Sequence, residues 1–147
     1  MPLQVETEQG RWVQRLGYAG LIPFVGCALL LFVVHDEVLP LLAIALTSYA
    51  AVIASFLGGI HWGLALREDS ALRTFHLIWG VTPSLLAWIA VVMPAYAGLP
   101  VLALVLVLCY LVDRKTWPQA GLRQWMTLRF RLTVVSVLSC LFGAAAV

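Results

Sequence analysis

Long apolar runs broken by short polar clusters set the pattern of this chain. A helix that spans a bilayer needs about 20 consecutive apolar residues. Five stretches approach that length, at about 17–34, 39–66, 75–93, 96–112 and 128–146. The breaks between them follow turn chemistry. His35-Asp36-Glu37 reads as a tight polar turn, with Asp36 placed to cap the next helix and Pro40 in that helix's first turn. Arg67-Glu68-Asp69-Ser70 reads as a solvated loop, and Pro94 with Gly98-Leu99-Pro100 separates the third and fourth stretches. Asp113-Arg114-Lys115 closes the fourth, which makes Asp113 part of a solvated helix end. Residues 117–126 are too polar to span and read as an interfacial segment anchored by Trp117 and Trp125. The second stretch, at roughly 42 Å, must tilt or protrude. The fifth has a clean apolar part only from Leu132, about 24 Å long, and lengthens if Arg129 and Arg131 snorkel. Pro23 and Pro83 fall inside helices and are expected to kink them. The pattern therefore predicts an all-α polytopic membrane protein with a five-helix transmembrane bundle.

Composition agrees. Of 147 residues, 63% are hydrophobic and 11% charged, where a soluble domain carries about 25% charged residues. Mean hydropathy is +0.98. A net charge of +2 gives no basic surface for nucleic acid. Cys27, Cys109 and Cys140 lie far apart in apolar stretches, without metal or redox spacing, and read as small buried hydrophobes. Residues 1–16 contain Glu6, Glu8, Arg11 and Arg15 and no apolar core of a signal peptide, so they read as a cytoplasmic segment. Threading five spans through a membrane puts all nine Lys and Arg residues on one side and only Asp36 and Glu37 on the other. The positive-inside rule makes the basic side cytoplasmic, with the N-terminus inside and the C-terminus outside a cell inner membrane.

Candidate chemistry concentrates at ASFLGGIHWGLAL, residues 54–66. Ala51, Ser55, Gly59 and Gly63 recur every four residues, beside a second ridge of Ala50, Ala54 and Gly58. Small residues let helix backbones approach in lipid, within the bundle or against a second chain. On this view Gly59→Leu damages folding or assembly more than His61→Ala does. His61 shares a face with Ala54, Gly58 and Ala65, about five residues from the cytoplasmic end of its span. It is either a ligand-binding or proton-handling group or a neutral imidazole bonded to a neighbouring helix. Trp62 beside it reads as an interfacial anchor before a cofactor platform. His76, Trp79, Gly80 and Pro83 form one face of the third span. His61 and His76 are the candidate ligand-binding pair, but differing heights argue against joint haem ligation, and two histidines make a poor zinc site.

GYAGLIPF (17–24), SFLGGIHWG (55–63) and WGVTPSLLAW (79–88) resemble the small membrane proteins catalogued as domain of unknown function 3429, a transmembrane protein 69-like family. The resemblance runs from about Gly17 into the fifth span and implies a five-span integral membrane protein. It supplies no settled activity, so no catalytic residue carries over, and cofactors stay unknown. Three functions remain open from the residues. One is a non-enzymatic accessory or assembly protein that packs through its small-residue ridges against a membrane partner or its own copy. The second is a haem- or quinone-binding redox protein using His61. The third is an oligomeric transporter of a neutral solute, which would lack an ionisable group in the central third of any span. No hydrolase signature occurs.

Overall fold

The computed structural model describes residues 6–67 and 72–147, so the expected loop at Glu68-Asp69-Ser70 lies outside the described residues. Six α-helices make five crossing segments: α1 (Glu8–Ala19) with α2 (Ile22–Leu30), then α3 (Leu39–Ala65), α4 (Arg73–Val92), α5 (Ala95–Thr116) and α6 (Met126–Ala146). Each crossing segment is long and apolar enough to span a bilayer. Four of the expected spans agree with these helices to within about four residues at either end.

The first span differs. It begins at Glu8, where Thr7 caps α1 by accepting from the Gly10 N–H at 3.0 Å. It is then interrupted at Gly20-Leu21 rather than kinked at Pro23. Pro23 sits in the first turn of α2, where its missing N–H removes no helical hydrogen bond. The Gly20 carbonyl freed at the break accepts the Tyr49 hydroxyl of α3 at 2.6 Å. Pro83 does lie inside α4, fully buried. Asp36 does not cap α3. Val38 takes that position with no side-chain cap, and Asp36 is exposed. Pro40 occupies the first turn as expected.

α3 is the spine of the bundle. It packs most extensively on α4 and also meets α2, α5 and α6. Its inward stripe is Ala43, Leu46, Ala50, Ala54 and Gly58, and small side chains there bring the neighbours close. The tightest approach is to α4. A Cβ on Gly58 would fall on the Gly80 carbonyl oxygen, and one on Gly80 would fall on the Trp62 ring. The outer surface carries Ile44, Val52, Phe56, Trp88, Leu104 and Phe142, all more than half exposed. An apolar exterior around a close-packed interior is the arrangement lipid demands.

One end of the bundle gathers the basic residues. Arg73 donates from Nε to the Ala65 carbonyl at 3.0 Å and from Nη2 to Arg67 O at 2.9 Å, closing the C-terminus of α3. Arg67 in turn reaches Ala120 O at 3.2 Å. Ala120 lies in the connection between α5 and α6, two short 3₁₀ turns at Pro118–Ala120 and Arg123–Trp125 joined through Gly121 at φ 82°. Its tryptophans do not face outward as anchors. Trp117 and Trp125 are buried and pack with Leu128.

Candidate functional site: a buried polar chain beside an apolar cavity

Five side chains from four helices form a continuous hydrogen-bonded line at the basic end. His76 of α4 meets His61 of α3, Nδ1 to Nδ1, at 2.8 Å. His61 Nε2 meets Asp113 Oδ1 of α5 at 2.7 Å. The other carboxylate oxygen, Oδ2, accepts from Nε of Arg129 on α6 at 2.9 Å. Arg129 Nη1 donates to the Thr133 hydroxyl, which donates back to the Arg129 carbonyl at 2.9 Å. All five residues are buried, His61 and Asp113 to 1% exposure.

Placement follows from helix periodicity. The buried face of α5 runs Leu102, Leu106, Cys109, Asp113 and Thr116, spaced by three or four residues. The buried face of α6 runs Arg129, Thr133, Ser136, Cys140 and Gly143. Asp113 and Arg129 are therefore the polar ends of two inward stripes. The hydroxyls on these stripes bond their own helices: Ser136 to Leu132 O at 2.7 Å, Ser139 to Val135 O at 2.8 Å and Thr116 to Val112 O at 2.9 Å. None is left unpaired in the apolar interior.

One proton arrangement satisfies the whole line. With Asp113 ionised, both Arg129 Nε–H and His61 Nε2–H donate to it. His61 Nδ1 then carries a lone pair and accepts from His76 Nδ1–H. In this arrangement the Arg129–Asp113 pair cancels its own charge and each imidazole carries one ring proton. A buried ion pair is tolerable when hydrogen bonds satisfy its remaining atoms, and His61 and Thr133 supply them.

The structure changes several expectations at once. His61 and His76 are not separated in height but in direct contact. That contact also leaves no room for a metal between their Nδ1 atoms, since a metal–nitrogen bond alone takes about 2 Å on each side. Among the described residues no group of three or more His, Cys, Asp or Glu side chains is placed to hold a metal. Asp113 is not a solvated helix end, because it lies on the inward face of α5 and two partners hold it. Arg129 does not snorkel, because Asp113 holds it inward. Arg131 does face outward, reaching Tyr18 Oη at 3.2 Å. Trp62 is partly exposed and donates from Nε1 to Leu77 O at 3.0 Å, a clasp between α3 and α4. Trp79 is half-buried against the apolar core, away from the polar chain. Of the ridge residues, Ala51 packs on the core and Gly58 on Gly80, whereas Ser55, Gly59 and Gly63 face outward.

Beside the polar chain lies a cavity of about 510 Å³, walled by α1, α2, α3, α5, α6 and the connection after α5. Its lining is almost wholly apolar, but it includes Arg129, Thr133, Ser136 and Trp117. Two buried N–H groups of lining residues have no partner among the described residues: Trp117 Nε1 and Arg129 Nη2.

Five apolar crossings locked by a buried ion pair at one end define a polytopic α-helical membrane protein. Residues 10–145 match the family model described as Protein of unknown function (DUF3429), and the chain belongs to that family. Among curated proteins it is 39% identical over 132 residues to transmembrane protein 69 of Xenopus tropicalis, covering 84% of this chain and 50% of that protein. It is also 39% identical over 75 residues to transmembrane protein 69 of Mus musculus, covering 50% of this chain and 30% of that one. The chain thus spans half or less of the length of these relatives. No solved structure matches it.

Proposed function

We propose that this chain is a non-enzymatic accessory or assembly protein of a cell inner membrane, and that it docks a second transmembrane helix on the outward ridge of α3. The carrying observation is that a Cβ added at Gly59 or at Gly63 would meet nothing within 4 Å. These glycines stand in register with Ser55 on the exposed face. A lipid-facing helix gains nothing from glycine, which lowers helix propensity by about 1 kcal/mol relative to alanine. A helix-docking face gains close backbone approach. The inner ridge already serves that purpose inside the bundle, at Gly58 and Gly80.

The orientation belongs to the same proposal. The basic end faces the cytoplasm, because nine Lys and Arg residues fall on that side of the threaded chain. Reporter fusions after residue 37 and after residue 147 should report the outer side, and one after residue 121 the inner side.

A photo-crosslinking amino acid at position 59, activated in native membranes, tests the docking. A discrete protein adduct supports it, and the adduct's mass tells a second copy from a different chain. Adducts to lipid alone at positions 59 and 63, as at exposed Leu104, refute it. The His61–His76 contact weighs against a haem iron held between the two Nδ1 atoms.

A further inference from the structure

Among the fully buried side-chain nitrogens and oxygens of the polar chain, one has no partner among the described residues. Arg129 uses Nε on Asp113 and Nη1 on Thr133, and Nη2 is left over. Trp117 lies one helical turn beyond Asp113 on α5, about 6 Å along the axis, and its Nε1 is also left over. Both side chains are more than nine-tenths buried. Both line the same apolar cavity. An unpaired donor away from water costs about 1–3 kcal/mol. Two such donors at one cavity call for an acceptor that the described residues do not provide.

The surroundings define the acceptor. The cavity's volume lies within the 300–1,000 Å³ range of sites that hold small molecules, and such sites are apolar with a few placed polar groups. Leu16, Phe24, Phe56, Leu57, Leu106 and Leu132 supply the apolar wall. Asp113 already neutralises Arg129, so an anionic head would add an unbalanced charge to a buried site. An uncharged oxygen with two lone pairs fits two N–H donors without that cost. The broken first span supplies the wall at Gly17 and Gly20, where small residues replace side chains that would fill the space. Tyr49 meets the break's free carbonyl, so the opening carries no unpaired backbone group of its own there.

We propose that this cavity binds an amphiphile with an apolar body and an uncharged carbonyl-type head oxygen, held by Trp117 Nε1–H and Arg129 Nη2–H. Two membrane molecules carry that chemistry: a glycerolipid through its ester and a quinone through its ring carbonyl. The polar chain positions Arg129 for this contact, with His61 and His76 acting through Asp113.

Native mass spectrometry of the whole chain, titrated in detergent with monoolein, decylubiquinone, oleate and dodecane, tests the site. A one-to-one adduct with monoolein or decylubiquinone is expected, tighter than with oleate and absent with dodecane. Preference for monoolein identifies a glycerolipid source, and preference for decylubiquinone a quinone source. Trp117→Phe should weaken the preferred adduct about tenfold, while Trp62→Phe, outside the cavity, leaves it unchanged. Leu132→Trp, which fills the cavity and keeps both donor residues, should abolish it, so the test stands even where Trp117→Phe unfolds. No one-to-one adduct, an oleate adduct tighter than both, or an adduct that survives both cavity substitutions would overturn the proposal. None of these results depends on whether a helix docks at Gly59.

Discussion

The two small-residue faces of α3 use one kind of residue for opposite ends. The inner face, through Ala50, Ala54 and Gly58, is consumed within the bundle, and at Gly58 two backbones meet without room for a methyl group. The outer face carries Ser55, Gly59 and Gly63, and at the two glycines an added Cβ would meet none of the described residues. Successive residues of a helix lie about 100° apart, so Gly58 and Gly59 are neighbours in sequence and strangers in environment. Small residues on a membrane helix therefore mark where close approach is possible. What approaches is decided by which face the rest of the bundle covers.

The largest effect is expected away from both faces, in the polar chain that fastens the inner one. Asp113→Ala leaves Arg129 charged and unpaired, and should cost about 3–5 kcal/mol, read as loss of folded protein or a collapsed melting temperature in detergent. His61→Ala strands one Asp113 oxygen and the His76 N–H, for about 1–3 kcal/mol. Gly58→Leu should cost a similar amount or more, because the atom it meets is backbone and cannot rotate away. Gly59→Leu should change the stability of the isolated chain by less than about 0.5 kcal/mol, yet remove any protein crosslink at that face. Equal melting temperatures for Gly58→Leu and Gly59→Leu would erase the distinction between the faces. Smallest is Arg131→Ala, whose exposed contact with Tyr18 should be worth at most about 1 kcal/mol.

This order reverses the one that spacing alone suggests, which placed Gly59→Leu above His61→Ala. Spacing detects both ridges but not which of them a neighbour covers, since that depends on where α4 crosses. The crossings themselves were legible because hydropathy runs and turn residues are local signals. The interruption at Gly20 was not, since Pro23 is the stronger breaker on paper and the break is stabilised by Tyr49 from another helix. Asp113 was hidden by Arg114 and Lys115, which make any acidic residue look solvated. The signal that reveals it is periodic: Leu102, Leu106, Cys109, Asp113 and Thr116 lie on one stripe. The same reasoning on Arg129, Thr133, Ser136 and Cys140 finds its partner. Two opposite charges on the buried stripes of consecutive spans are candidates for each other.

The polar chain also has an order in time. It draws on α3, α4, α5 and α6, and its one cation comes last from the ribosome. Until residue 129 has entered the membrane, the Asp113 carboxylate has only His61 beside it. α5 alone thus carries an acid that α6 must neutralise before the bundle can close. The C-terminal helix is in this sense a lock turned at the end of synthesis, and a chain cut short before Arg129 would announce itself by an unpaired charge in lipid.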